Sequence, residues 1–291
     1  MRHIIPISGK DSLATAILQT SLRPEHDYEF VFNPTGLELP EVFDWIHRVG
    51  IHFGKEVSIV SQPLKELIEG YNYFLPGPKS RYCTRESKIE PFEKWIGTDA
   101  CVVYYGIRAD EPNRVGYDNS KKTNIQPAYP LRDYNVTLQG VYILVNNANL
   151  KPPAFFWPRL HERVAQKLGY NPRSTLPEWV FDMLFAGRSR SNCDRCFNQR
   201  LYEWVWLHET HPDRFAEAMD WESKGTEGGY TWINGKSLQD VIDSRHDIFE
   251  RRANAVAKAI VKRSQMSLFD DGGDNFVDIL SFTSCGLFCG K

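Results

Sequence analysis

The chain predicts an α/β fold, a parallel twisted sheet with helices on both faces, followed by a helical C-terminal part. Three observations carry this. Apolar runs of strand length alternate with helical patterns through the first hundred residues, which is the rhythm of β-α-β units. The first run, Ile4-Ile5-Pro6-Ile7, passes through a small-residue turn directly into a helical pattern. A hydrophobic content of 42% with a net charge of −2 is that of a globular chain and not of a disordered one.

Taken in order, residues 3–7 predict a strand and 13–22 a helix. Residues 28–32 predict a strand and 41–50 a helix, residues 56–60 a strand and 64–71 a helix, and 100–105 a further strand. Residues 71–85 are rich in Pro and Gly and read as a loop, and 110–130 as a polar loop too long to be idle in a compact domain. From about Leu131 the pattern is helical, with many Trp and Tyr; 245–263 is a basic, Ala-rich helix, and Asp270-Asp271-Gly272-Gly273-Asp274 a flexible break. The expected organisation is an α/β nucleotide-binding core over 1–150, a helical part over 151–263, and a linker with a cysteine-containing tail over 264–291. No internal repeat is visible.

Composition excludes some functions. A net charge of −2 gives no global basic field for nucleic acid, so any such contact must be a local patch. No apolar run approaches the ~20 residues of a membrane span. The first residues enter a strand directly, without a charged and apolar leader, so a cytoplasmic location is expected. There the six cysteines are read as metal ligands or catalysts before disulfides.

The chemistry begins at Ser8-Gly9-Lys10-Asp11-Ser12. A strand, tight turn and helix N-terminus present backbone N–H groups and the positive end of a dipole to an anion. Lys10 adds a point charge suited to phosphate, and Ser8 and Ser12 add hydroxyls. The spacing is not that of the G-x-x-x-x-G-K-S/T loop. It resembles the PP-loop, S-G-G-K-D-S, of ATP pyrophosphatases and the related sulfonucleotide (PAPS) reductases, with Ile7 and Ser8 replacing its first Ser and Gly. Further boxes follow in order. Asn33-Pro34-Thr35-Gly36-Leu37-Glu38-Leu39-Pro40-Glu41 resembles D-T-G-x-x-F-P-E-T. The segment Tyr82-Cys83 through Lys88-Ile89-Glu90-Pro91-Phe92 resembles C-C-x-x-R-K-x-E-P-L, with Tyr82 in place of the first Cys. Gly106-Ile107-Arg108-Ala109-Asp110-Glu111-Pro112-Asn113-Arg114 resembles G-x-R-x-x-E-S-x-x-R. Tyr129-Pro130-Leu131-Arg132-Asp133-Tyr134 and Val141-Tyr142 resemble P-L-x-D-W and its downstream V-W. The resemblance runs from residue 3 to about 240.

This resemblance implies a nucleotide held by Ser8, Gly9, Lys10, Asp11, Ser12, Thr35, Gly36, Arg108 and Arg114. Gly36 allows the turn, and the two arginines are suited to clamp phosphates bidentately. Lys10, Asp11 and Ser12 are the expected catalytic residues, with ATP and Mg²⁺ bound and Asp11 holding the cation or orienting the loop.

Cys193-Asp194-Arg195-Cys196 is a C-x-x-C, a spacing that lets two thiolates reach one metal. In cluster-bearing members of the family such a pair joins the C-C box to hold a 4Fe–4S cluster. The tail Ser284-Cys285-Gly286-Leu287-Phe288-Cys289 resembles the E-C-G-L-H tail that carries the reductase nucleophile, with Phe288 in place of His. The metal set expected is Cys83, Cys193, Cys196 and Cys289, leaving Cys285 catalytic. The reverse assignment, a three-ligand cluster with an open iron, and zinc remain alternatives. Cys101 reads as packing. Trp204, Trp206, Trp221 and Trp232 read as core or subunit interface, which leaves room for a homo-oligomer. His161, His208 and His211 lack metal spacing. Arg188, Arg190, Arg195 and Arg200 surround the C-x-x-C, and Lys121 and Lys122 sit in the long loop, so a phosphate-rich substrate would meet a basic collar. Gln265-Met266-Ser267-Leu268-Phe269 resembles the Q-L-S/D-L-F peptide that docks on the replication sliding clamp.

Three readings follow. The first is an ATP pyrophosphatase that adenylates an acceptor for sulfur insertion, with sulfur from a cysteine desulfurase. The Lys-Asp-Ser core favours it. Its acceptor is nucleic acid, DNA before tRNA, in the style of the DNA-phosphorothioation ATPases of bacterial phage defence. The second is an adenylyl-sulfate or PAPS reductase using Cys285 and thioredoxin. The third is a non-catalytic nucleotide-binding scaffold in a DNA-associated complex.

Overall fold

The structure is a computed structural model that describes residues 1–116, 122–191, 193–225 and 229–266. Five strands form one sheet: β1 (Arg2–Pro6), β2 (Tyr28–Phe32), β3 (Val57–Ile59), β4 (Cys101–Tyr104) and β5 (Ile125–Ala128). Their order is β3-β2-β1-β4-β5, and every pairing is parallel. Between them lie α1 (Lys10–Leu22), α2 (Pro40–Phe53), α3 (Leu64–Gly70), α4 (Tyr82–Thr84) and α5 (Glu90–Ile96), the last two joined by a π-helical turn over Arg85–Ile89. After β5 come α6 (Pro130–Asp133) and α7 (Leu138–Asn147).

The alternation of side chains along each strand divides the core. Ile5, Phe30, Phe32, Val102 and Tyr104 pack with Leu13 and Ala16 of α1, Trp45 and Val49 of α2, and Val141 and Val145 of α7. Ile4, Val31, Cys101, Val103 and Ile125 pack with Phe92 and Ile96 of α5. Helices therefore cover both faces, as predicted, and Cys101 is buried in this packing. Trp45 donates its indole N–H to the carbonyl of Leu150 at 2.8 Å, which ties α2 to the end of α7.

One expectation is corrected. Residues 110–130 are not loop throughout: β5 pairs Ile125 with Cys101 and Pro127 with Val103. The run Ile-Gln-Pro-Ala hides it, because Pro lacks a ladder donor. An edge strand pairs on one side alone and tolerates that loss.

The second half is helical: α8 (Pro158–Leu168), a 3₁₀ turn at Pro172–Ser174, α9 (Glu178–Leu184), α10 (Leu201–Thr210), α11 (Pro212–Lys224), α12 (Leu238–Asp243) and α13 (Arg245–Met266). Trp157, Trp204, Trp221 and Trp232 are fully buried here. The same cluster takes in Leu37, Leu39, Leu64 and Ile68, so the helical part is seated on the loop that follows β2 and on α3. Among the described residues no helix is long and apolar enough to cross a membrane.

Gly187 is the tightest contact of this half. A Cβ there would lie 1.9 Å from Cδ1 of Trp206, so the indole rests on the glycine backbone. Gly187→Ala is expected to destabilise the protein by about 1–3 kcal/mol through overpacking, measured as a lowered midpoint of thermal unfolding. An unchanged midpoint would refute the contact.

Candidate functional site

The strand order places β2 and β3 on one side of β1 and β4 and β5 on the other. The crevice beyond the carboxyl ends of β1 and β4 is thus a topological switch point, where doubly wound sheets bind ligands. The loop after β1 and the segment after β4 meet there. They meet closely: a Cβ on Gly106 would lie 2.7 Å from the Asp11 carbonyl carbon and the Ser12 nitrogen. Only glycine allows the end of β4 to press on the first turn of α1.

Ser12 shapes the loop. Its Oγ accepts N–H bonds from Ser8 (2.9 Å) and Gly9 (3.1 Å) and donates to the Gly9 carbonyl (2.9 Å). Those two amides therefore turn onto Ser12 instead of outward. The donors left for a ligand are the first amides of α1, which no preceding turn can satisfy, together with Lys10. Ser8, Gly9, Lys10, Asp11 and Ser12 all line a cavity of about 240 Å³.

Arg108, expected to clamp a phosphate beside Arg114, lies instead under the loop. It is 2% exposed and donates to Asp11 Oδ2 (3.1 Å) and Asp110 Oδ1 (2.8 Å), with Glu111 at 3.7 Å. Burial works against its positive charge, but Asp11, Glu111 and Asp110 outweigh it, so its pKa is raised. The Asp11 carboxyl shows the counterpart. Burial pushes it up, while Lys10, Arg108 and Arg114 pull it down further, for a net lowering. Asp110 also accepts the Leu138 N–H at the start of α7 (3.3 Å). Arg114 does line the cavity, paired with Glu111 at 3.0 Å.

The turn after β2 is built around a residue to which the sequence assigned no role. Glu38 is 3% exposed and accepts the N–H and hydroxyl of Thr35 and the N–H of Gly36, at 2.9 to 3.0 Å. Gly36 needs its freedom here, with φ of 80°. Thr35 reaches the cavity, and Lys88 stands there 3.9 Å from Glu38.

The cavity lies between the two halves of the chain. Its far wall carries Arg188, Arg190, Cys193 and Cys196, and Cys83 and Arg81 join from the segment before the π-helical turn. Three of the four cysteines expected as metal ligands thus share one wall. A hydrogen bond with Cys196, then burial, hold the Cys193 thiol well above its usual range. Burial, then Cys196, raise that of Cys83. The thiols approach pairwise; among the described residues no group of three or more His, Cys, Asp or Glu side chains is set to hold a metal ion. Cys285, Cys289, Lys121 and Ser267–Phe269 of the clamp-like peptide lie outside the described residues. The arginine collar divides. Arg188 donates to the Cys193 carbonyl (2.8 Å). Arg195 turns away, pairing with Asp194 (2.7 Å) and Glu217 (2.6 Å) and lying over Trp221.

Fold and site together define a doubly wound α/β protein with Lys10 and the first turn of α1 lining the crevice at its switch point. Residues 2–152 match the model of the phosphoadenosine phosphosulfate reductase domain; this is just over half of the chain, and the chain belongs to that family. An uncharacterized protein of Methanocaldococcus jannaschii is 28% identical over 181 residues, which are 60% of this chain and 33% of that protein. The chain thus spans about a third of the length of this curated relative. The crystal structure of phosphoadenylyl-sulfate reductase from Candida auris, a phosphate complex, aligns with a TM-score of 0.40 and 16% identity, covering 52% of this chain and 75% of that one.

Two outcomes follow from the Arg108 network. Arg108→Gln removes the ion partner of Asp110 and one partner each of Asp11 and Glu111, and should cost about 3 kcal/mol, read as a lower urea midpoint; Arg108→Lys should not restore it, lacking the fork. Because the Asp11 pKa is lowered from its usual 3.8, its stabilising contribution is present above that value. It is lost as pH falls through the folded one. Asp11→Asn should flatten this part of the acid unfolding curve, and an unaltered curve would remove Asp11 from the network.

Proposed function

We propose that this chain is an ATP pyrophosphatase that cleaves Mg-ATP to AMP and pyrophosphate, adenylating an acceptor for sulfur insertion. The observation that supports it most is Lys10 with the free first amides of α1 at the switch point, beside Asp11, whose buried Oδ1 has no partner among the described residues. The β- and γ-phosphates rest on Lys10 and the helix end, and the Mg²⁺ that accompanies them faces the Asp11 carboxylate. An acceptor oxygen attacks the α-phosphorus, the bond to pyrophosphate breaks, and the charge that grows on the leaving group is stabilised by Lys10 and the helix dipole. Arg108 and Gly106 act by positioning, since they fix the first turn of α1. Sulfur, taken from a persulfide by two-electron reduction with a thiol reductant, then attacks the adenylated centre, its bond to the acceptor forming as the bond to the AMP oxygen breaks. The acceptor in this reading is nucleic acid, DNA before tRNA, and the sulfur comes from a cysteine desulfurase.

The thiol wall supports a metal in kind, since thiolates suit both an iron–sulfur cluster and zinc. Cys83, Cys193 and Cys196 would hold it together with a tail cysteine, Cys289 or Cys285, and the protons held on the thiols would leave on binding. Such a group would supply a site for sulfur. The family and the thiols in the cavity also favour a second reading, reduction of adenylyl sulfate or PAPS with Cys285 as nucleophile.

Release of pyrophosphate and AMP from Mg-ATP by anaerobically purified protein, with and without DNA, tests the first reading. Lys10→Ala should lower release by about two to three orders of magnitude, and Cys285→Ser should leave it intact. Sulfite formed from adenylyl sulfate and thioredoxin, lost in Cys285→Ser, with no pyrophosphate under any condition, would replace it with the second.

A further inference from the structure

The segment from Tyr71 to Arg85 carries four aromatic and three cationic side chains and no carboxylate, in a chain whose net charge is −2. The proposed chemistry takes only Cys83 from it. Its backbone is held at a cost. Asn72 and Tyr73 stand in the left-handed region, with φ of 50° and 58°, where successive residues with a Cβ are uncommon. Such strain persists where the surroundings fix it, and it gathers at binding sites. Here the surroundings do fix it. The N–H groups of Tyr71, Asn72 and Tyr73 bond to the carbonyls of Leu67, Glu69 and Ile68 at 2.8 to 3.0 Å. The hydroxyl of the buried Tyr82 donates to the Phe74 carbonyl.

The rings form a ledge. Tyr82 is its pillar, with Tyr71 at 4.9 Å and Phe74 at 6.3 Å between ring centroids, and Tyr230 stands 4.7 Å beyond Phe74. Tyr71 is outermost and 44% exposed. Tyr73 is half-buried, with the Lys224 ammonium over its ring at 5.2 Å. One carboxylate sets a cation beside the outer ring: Glu86 accepts the Tyr71 hydroxyl at 2.8 Å with one oxygen and the Arg85 guanidinium with the other. Arg85 also pairs with Glu90 at 3.3 Å, yet its side chain remains 65% exposed. From Lys79 to Lys88 four cations stand against Glu86 alone, and Lys79 is exposed. The same run leads into the cavity, where Arg81, Cys83 and Lys88 are part of the lining.

Aromatic faces beside exposed cations, on a track that ends at a cavity, are the arrangement that binds single strands: bases stack on the rings and the backbone phosphates meet the cations. A duplex keeps its base faces stacked on one another and cannot use the rings without unstacking.

We propose that residues 71–85 bind single-stranded nucleic acid, with an unpaired base stacked on Tyr71, backbone phosphates at Lys79 and Arg85, and the strand led on towards Cys83. The surface rests on the preceding reading for the strand's role as acceptor, while its binding needs no turnover.

Fluorescence anisotropy of a labelled oligo-dT of about 12 nucleotides, titrated with the full chain in the absence of ATP, tests this. The oligonucleotide is expected to bind with an affinity that falls as salt rises. Paired with oligo-dA, it should bind at least about tenfold more weakly. Tyr71→Ala should weaken binding by about tenfold, and Tyr71→Phe should keep most of it, because the ring remains. Lys79→Gln, at an exposed position, should lower the salt slope by about one, and it reads the surface even where loss of the Tyr71 ring unfolds the loop. Tyr170→Ala, at an exposed tyrosine beyond α8, should change nothing. Tighter binding of oligo-dT than of oligo-rU assigns the strand to DNA and the reverse assigns it to RNA; both uphold the surface. No binding at low salt overturns the proposal and leaves the ledge to a protein partner. A duplex bound as tightly as the single strand, or binding unchanged in both Tyr71→Ala and Lys79→Gln, overturns it too. Oligonucleotide binding without pyrophosphate release keeps the surface and removes the pyrophosphatase; release without binding does the opposite.

Discussion

The site depends on one buried guanidinium. Arg108 sits past the carboxyl end of β4, against the first turn of α1, and each of its carboxylate partners has a second task. Asp11 opens α1, Asp110 receives the first amide of α7, and Glu111 holds Arg114 at the cavity. Arg132 closes the arrangement by donating to the carbonyls of Glu111 and Arg114, at 3.2 and 3.1 Å. Burying a guanidinium costs several kcal/mol, and three carboxylates offset that cost without a large surplus. What the network supplies is position. It joins the loop after β1 to the segment after β4, and Gly106 lets the two backbones touch. The orientation of the α1 amides, and hence the reach of Lys10, follows from that junction.

Local features of this design were legible in the sequence and non-local ones were not. The strands β1 to β4 follow from apolar runs, and the loop that opens α1 follows from Ser8-Gly9-Lys10-Asp11-Ser12 behind the first of them. The Ser12 hydroxyl reads as a ligand donor in sequence, yet it spends its bonds on Ser8 and Gly9, because the turn brings those amides onto it. Arg108 and Arg114 read as equals. The acidic pair Asp110-Glu111 was an available signal that one of them would be neutralised, but the third carboxylate comes from Asp11, after the neighbouring strand β1 and 97 positions away in sequence. The same holds for Arg195, whose neighbour Asp194 was visible and whose partner Glu217 belongs to α11. Glu38 was hidden for the opposite reason: a carboxylate that caps its own turn looks in sequence like any surface acid.

The cysteines show how the fold adds to a motif. The C-x-x-C gives Cys193 and Cys196 by spacing alone, and Cys83 joins them because α4 lines the same cavity. Burial raises the Cys83 thiol, whereas Thr84, Lys88 and Arg81 pull it the other way. Burial decides, so in this state the proton stays on sulfur.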